Sequence, residues 1–85
     1  MASIEEQQKA RRDLRRIEKA AERIWKLYDA QADVTLRQMD ATEPGPAVAE
    51  LRRRVDGLHG NMQRLERMMD DARSLDEWVS LDLRT

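Results

Sequence analysis

Eighty-five residues bound the chain to one small domain, which buries a limited share of its surface unless staples or partners help. It has no cysteine, which excludes disulfides and thiolate metal sites, and its single histidine, His59, holds no metal without carboxylate help. Charged residues make up 39% of the chain, phenylalanine is absent and the net charge is −1, a balance that favours long solvated helices over sheet and gives the whole molecule no strong field toward DNA or an anionic membrane.

The first segment opens with Ser3-Ile4-Glu5-Glu6, a capping-box signature in which Ser3 accepts the Glu6 backbone N–H and Glu6 reaches back. Helix 1 is expected to start there. Its apolar residues follow an eleven-residue repeat: Ala10, Ala21, Ala32; then Leu14, Trp25, Leu36; then Ile17, Tyr28, Met39. Eleven residues in three turns give a stripe that runs nearly straight or slightly right-handed. A second apolar edge, Ala20, Ile24, Leu27 and Val34, lies beside the first. One neighbouring helix cannot cover both, and so broad a face belongs to a helix with two neighbours, as in a four-helix bundle. Ile24, Leu27 and Val34 are therefore candidate partner-binding residues.

Lys9, Arg12, Arg16, Lys19, Arg23 and Lys26 recur three and four residues apart along the outer face of the same helix. The line extends roughly 25 Å at ~1.5 Å per residue, long enough to follow several phosphates or an acidic protein surface. The plainer reading is a solvated face laced by Glu5–Lys9 and Glu22–Lys26 pairs. No base-stacking aromatic interleaves with the line, and Trp25 and Tyr28 belong to the core stripe, which speaks against sequence-specific or single-strand nucleic-acid recognition.

Glu43-Pro44-Gly45-Pro46 ends helix 1, because a proline disfavours helical geometry in the residue before it, and Pro46 suits the first position of a second helix. So short a connection predicts an antiparallel reversal. A turn centred near Pro44 sets residue i across from about residue 87 − i, with Trp25 opposite Met62, Tyr28 opposite Leu58 or His59, and Leu14 opposite Ala72.

In the second helix Val48, Leu51, Val55, Leu58, Met62, Leu65, Met69 and Ala72 alternate three and four residues apart, the heptad seam of a coiled coil. Gly57 and Gly60 each weaken the helix by about 1 kcal/mol relative to alanine. The seam keeps its spacing across both, so a continuous helix is expected rather than a break at Gly57–Asn61. After Ala72 a second capping-box signature, Ser74-Leu75-Asp76-Glu77, suggests a new start, and Val79, Leu81 and Leu83 then alternate with polar residues as in an extended tail. Leu75, Trp78, Val79, Leu81 and Leu83 are candidate groups for docking into a partner's groove or adding to a sheet edge. The self-contained alternative folds Trp78 back near Gln7 and Gln8 to close the end of the hairpin.

The fold expected is all-α: an antiparallel, coiled-coil-like hairpin over 1–73, with helix 1 at about 4–41, a turn at 42–45 and helix 2 at about 46–73, followed by a short helix or an extended acidic and apolar tail over 74–85. Its apolar surface exceeds what two arms hide from each other, which predicts a homodimer forming a four-helix bundle, or a complex of similar shape with a larger protein. Catalytic and cofactor-binding residues are not expected. Asp56-x-x-His59 is the nearest approach to a metal site, with Asp29 and Asp33 across the hairpin, but it lies off the seam and lacks the paired Glu-x-x-His of a ferritin-like centre. No nucleophile elbow or phosphate loop appears. With no apolar run near the ~18 residues of a membrane span and no secretory-signal order in Met1 to Gln8, the expected compartment is the cytoplasm. The expected function is a small non-enzymatic interaction module, a regulator, adaptor or inhibitor; the alternative is a nucleic-acid-associated protein using the basic line.

Overall fold

The computed structural model describes residues 3–84, with side chains described through Leu81. It is an all-α hairpin of two helices, α1 (Ile4–Asp40) and α2 (Pro46–Arg84), packed antiparallel along their lengths into a rod of 62 × 14 × 13 Å. Ser3 caps α1 in extended geometry, and its hydroxyl accepts the Glu6 N–H at 3.2 Å, while Glu5 and Glu6 place negative charge against the positive end of the helix dipole. The last turn tightens, with the Ala41 N–H on the Arg37 carbonyl and the Thr42 hydroxyl on the Gln38 carbonyl. Pro44 then prevents continuation. Pro46 starts α2, where a missing N–H costs nothing.

The α2 seam is as the spacing predicts: Val55, Met62, Leu65 and Ala72 are buried and Val48, Leu51, Leu58 and Met69 half-buried. The expected stop after Ala72 is wrong. One helix runs through Arg84, and the seam keeps its phase into Asp76 and Val79, both half-buried. Asp76 reads as a break in an apolar pattern, yet Arg11 Nε donates to its carboxylate at 3.0 Å and Arg15 Nε lies 3.8 Å away. Because the pair is satisfied across the hairpin, nothing forces α2 to end there. Ser74 to Glu77 therefore caps nothing, and the residues after Val79 are helical rather than extended.

The phase of α1 also differs from the eleven-residue reading. Its inward positions are Gln7, Arg11, Leu14, Glu18, Ala21, Trp25, Tyr28, Ala32, Thr35 and Met39, a three-four alternation matching α2. Ala21 and Ala32, at 2% exposure, are its most enclosed members, whereas Ile17 and Leu36, which the eleven-residue repeat placed in the core, are 46% and 43% exposed. The shared heptad lets both helices follow one supercoil, which two different repeats would not. Polar side chains hold several inward places on α1. Arg11 pairs with Asp76, Glu18 accepts from Arg73 Nε at 2.6 Å, and the Thr35 hydroxyl returns to the Gln31 carbonyl at 2.8 Å.

These cross-helix bonds fix the register. Glu18 with Arg73, Trp25 with Glu66 and Arg15 with Asp76 set residue i across from about 91 − i, one helical turn from the turn-centred expectation, while the long Arg11 side chain reaches the same Asp76 at the 87 − i spacing. Trp25 thus lies level with Glu66 rather than Met62, and its indole N–H donates to Glu66 Oε1 at 3.1 Å.

α2 passes through Gly57 and Gly60 without interruption, and a Cβ added at either meets nothing within 4 Å. Gly60→Ala should therefore stabilise the hairpin by about 1 kcal/mol through helix propensity and a stiffer unfolded chain. Thermal unfolding followed by circular dichroism should show the midpoint rise by ~4–8 °C.

Candidate interaction surface

With Trp25 and Tyr28 at positions a and d of α1, and Met62 and Leu65 at a and d of α2, the two flanks of the hairpin are defined by the e and g lines, since in an antiparallel pair e borders e and g borders g. The flanks differ in chemistry. Along the first run Arg11 and Arg15 on Asp76, Glu18 on Arg73, and Trp25 on Glu66. The Glu18 hydrogen bond and charge hold the Arg73 guanidinium above its ordinary pKa. A raised basic group adds stability below its unfolded value and loses it only as pH passes the folded one, so this contact is fully present throughout the neutral range.

The second flank is apolar along α1 and at Met68, Leu75 and Trp78 of α2. Its position is marked by a groove that Gln31 and Thr35 of α1 line together with Arg54, Gly57, Leu58 and Asn61 of α2. A second shallow groove shares Gln31 and Thr35 and extends over Leu27, Val34 and Gln38. By heptad position this flank carries Ile17, Ile24 and Gln31 on one line of α1 and Ala20, Leu27 and Val34 on the next. On α2 it carries Arg54, Asn61, Met68 and Leu75 beside Gly57, Arg64, Asp71 and Trp78.

The fold brings together most of the partner-binding candidates. Ile24, Leu27 and Val34 of α1 and Leu75 and Trp78 of α2 are exposed and share this flank, with Leu27 and Trp78 both 68% exposed. Trp78 therefore does not fold back to close the hairpin end. Val79 is separated from them, for it continues the internal seam, and Leu81 lies on the outer back of α2. The side chain of Leu83 lies outside the described residues. Two members escaped the sequence reading: Ile17, assigned to the core, and Met68, assigned nowhere. Heptad lettering of both helices in one frame identifies each as a g position.

The six basic residues Lys9, Arg12, Arg16, Lys19, Arg23 and Lys26 are all exposed along the back of α1. Arg16 has Asp13 at 3.8 Å and Lys26 has Glu22 at 3.4 Å; the expected Glu5–Lys9 pair does not form. Asp56 and His59 are exposed, and among the described residues no three acidic or histidine side chains gather where a metal would sit. Among the described residues no helix is long and apolar enough to cross a membrane.

No family model, curated protein or solved structure matches this chain. The class that fold and surface define is an all-α hairpin with one ion-paired flank and one apolar flank.

Proposed function

We propose that the chain is a non-enzymatic protein–protein interaction module that completes a four-helix assembly by packing its apolar flank against further helices. The observation behind this reading is that Ile17, Ile24, Leu27, Val34, Met68, Leu75 and Trp78 are each between 43% and 68% exposed on a single flank. Together they present on the order of 700 Å² of side chain, above the few hundred Å² that an ordinary monomer leaves in one patch. Removing that area from water is worth on the order of 15 kcal/mol at ~25 cal/mol/Å², comparable with the ~4–15 kcal/mol lost in freedom on association. Leu75 and Trp78 act as part of the helical face, so the tail proposed for docking and the edge of α1 form one surface.

The test is the double variant Ile24→Glu with Leu27→Glu. Both side chains lie outside the hairpin seam, so helical circular dichroism should persist while association, with itself or with a protein of the native lysate, is lost. Undiminished association in this variant overturns the reading.

The basic line of α1 supports a second reading, binding of a nucleic-acid backbone. In its favour, Lys9, Arg12, Lys19 and Arg23 have no carboxylate within 4.0 Å among the described residues. It requires mobility-shift binding at low salt that weakens steeply as salt rises and disappears when Arg12, Arg16 and Arg23 become Glu. Absence of binding at low salt removes it.

A further inference from the structure

We propose that the occupant of the apolar flank is a second copy of this chain, related by a two-fold axis that crosses the helices at right angles midway between Ile24 and Leu27. The proposal rests on the reading of this flank as an interaction surface and adds the partner and its arrangement.

The α1 lines are self-complementary under that axis. Setting Ile24 against Leu27 of the second copy also brings Ile17 onto Val34 of that copy and Ala20 opposite its Gln31. Bulky apolar groups meet bulky apolar groups, and the small side chain meets the longer one, as an interdigitated layer needs.

The same axis must suit α2, whose level is fixed by the Trp25 indole bond to Glu66 at 3.1 Å. The axis therefore crosses α2 between Leu65 and Glu66, and the nearest pairing that turns the two flank lines of α2 toward each other is centred on Glu66. Reflecting α2 about Glu66 sets Leu75 on Gly57 of the second copy, where a Cβ would meet nothing within 4 Å and the bare backbone leaves room. Trp78 comes to Arg54 of that copy, a guanidinium available for stacking on the indole face, and Met68 lies along the stem of its Arg64. Asp71 comes opposite its Asn61, and no two like charges meet. These α2 matches follow from the α1 pairing, the cross-helix register and the facing of the two flank lines.

An axis parallel to the helices sets α1 against α2 of the other copy in the internal register, which brings Ile17 beside Leu75 and Ile24 beside Met68 but leaves Ala20 on Asp71, Leu27 on Arg64 and Val34 on Gly57, so the bulky α1 pairs Ile24–Leu27 and Ile17–Val34 are lost. The area agrees with a dimer as well: the ~700 Å² of exposed side chain per copy is close to the ~800 Å² per partner of a standard stable interface. An isologous contact of this kind closes on itself and leaves no apolar flank over.

Because the chain has no cysteine, single thiols report the geometry. Full-length Ile17→Cys and Val34→Cys preparations, mixed and oxidised, should give a mixed disulfide dimer, with little from either alone, and sedimentation of the unmodified chain at micromolar concentration should show a dimer. Gly57→Gln, which improves helix propensity but fills the notch under Leu75, should weaken dimerisation about tenfold or more while leaving helical content unchanged or higher. A dimer that instead links Ile17→Cys to Leu75→Cys overturns the proposal and leaves the interaction reading standing. A monomer at a loading of about 100 µM, where a dimer with a Kd of about 1 µM would be about nine-tenths associated, also overturns it. If that monomer still binds another protein through Ile24 and Leu27, the broader reading survives; if it does not, both fall.

Discussion

Met62→Ala should destabilise the hairpin by about 2–4 kcal/mol, the range for truncating a buried long apolar side chain and leaving part of its space unfilled. Met62 is 7% exposed at the middle of the α2 seam, between Val55 and Leu65, which are equally enclosed. A two-helix rod has only one layer of side chains between its backbones, so no second layer moves in to fill the gap. Thermal unfolding should show the midpoint fall by ~10–20 °C for a domain of this size. The comparison must be made at one protein concentration, because association raises apparent stability by mass action. A change below about 1 kcal/mol would mean that the seam is not the main source of stability.

Ala32→Leu and Leu36→Ser should move in opposite proportion to the chemical size of the change in a surface-based view. Ala32 is 2% exposed on the face of α1 that packs against α2, so three added carbons have no space and force the helices apart, at about 1–3 kcal/mol. Leu36 is 43% exposed, and its replacement by serine should cost less than about 1 kcal/mol, mostly as lost helix propensity. Under an eleven-residue stripe both positions would lie inside and Leu36→Ser would be the more damaging. Urea unfolding of the two variants therefore distinguishes the two phases of α1, with a large loss for Leu36→Ser counting against the heptad.

The difference between those phases shows what was readable from residues alone. In α2 the seam is written in valine, leucine and methionine, so spacing was enough, and the glycines could be placed inside a helix because the spacing survives them. In α1 the inward places include Gln7, Arg11, Glu18 and Thr35. A count of apolar residues passes over these and finds Ile17 and Leu36 instead. Arg11 and Glu18 point inward because Asp76 and Arg73 stand opposite, and a pairing between residues more than fifty apart leaves no mark in local hydropathy. The same pairing hid the end of α2: Ser74-Leu75-Asp76-Glu77 reads as a new cap until the arginines opposite Asp76 are in place.

The exposed flank shows the same division. Ile24, Leu27 and Val34 were recognisable as surplus apolar groups on α1, and Leu75 and Trp78 as surplus on α2. That they belong to one surface depends on which lines of the two helices border the same groove.

The sequence by itself determined that there are two helices, the Ser3 cap of the first, the reversal at Glu43 to Pro46 and the α2 seam, because each depends on residues within a turn or two of one another. Only the tertiary structure decided the phase of α1, the register between the arms, the length of α2 and the joining of two apolar edges into one flank. Those features are set by which side chain stands across the hairpin, and a charge that is costly beside apolar neighbours becomes an inward residue once its counter-charge is 3 Å away.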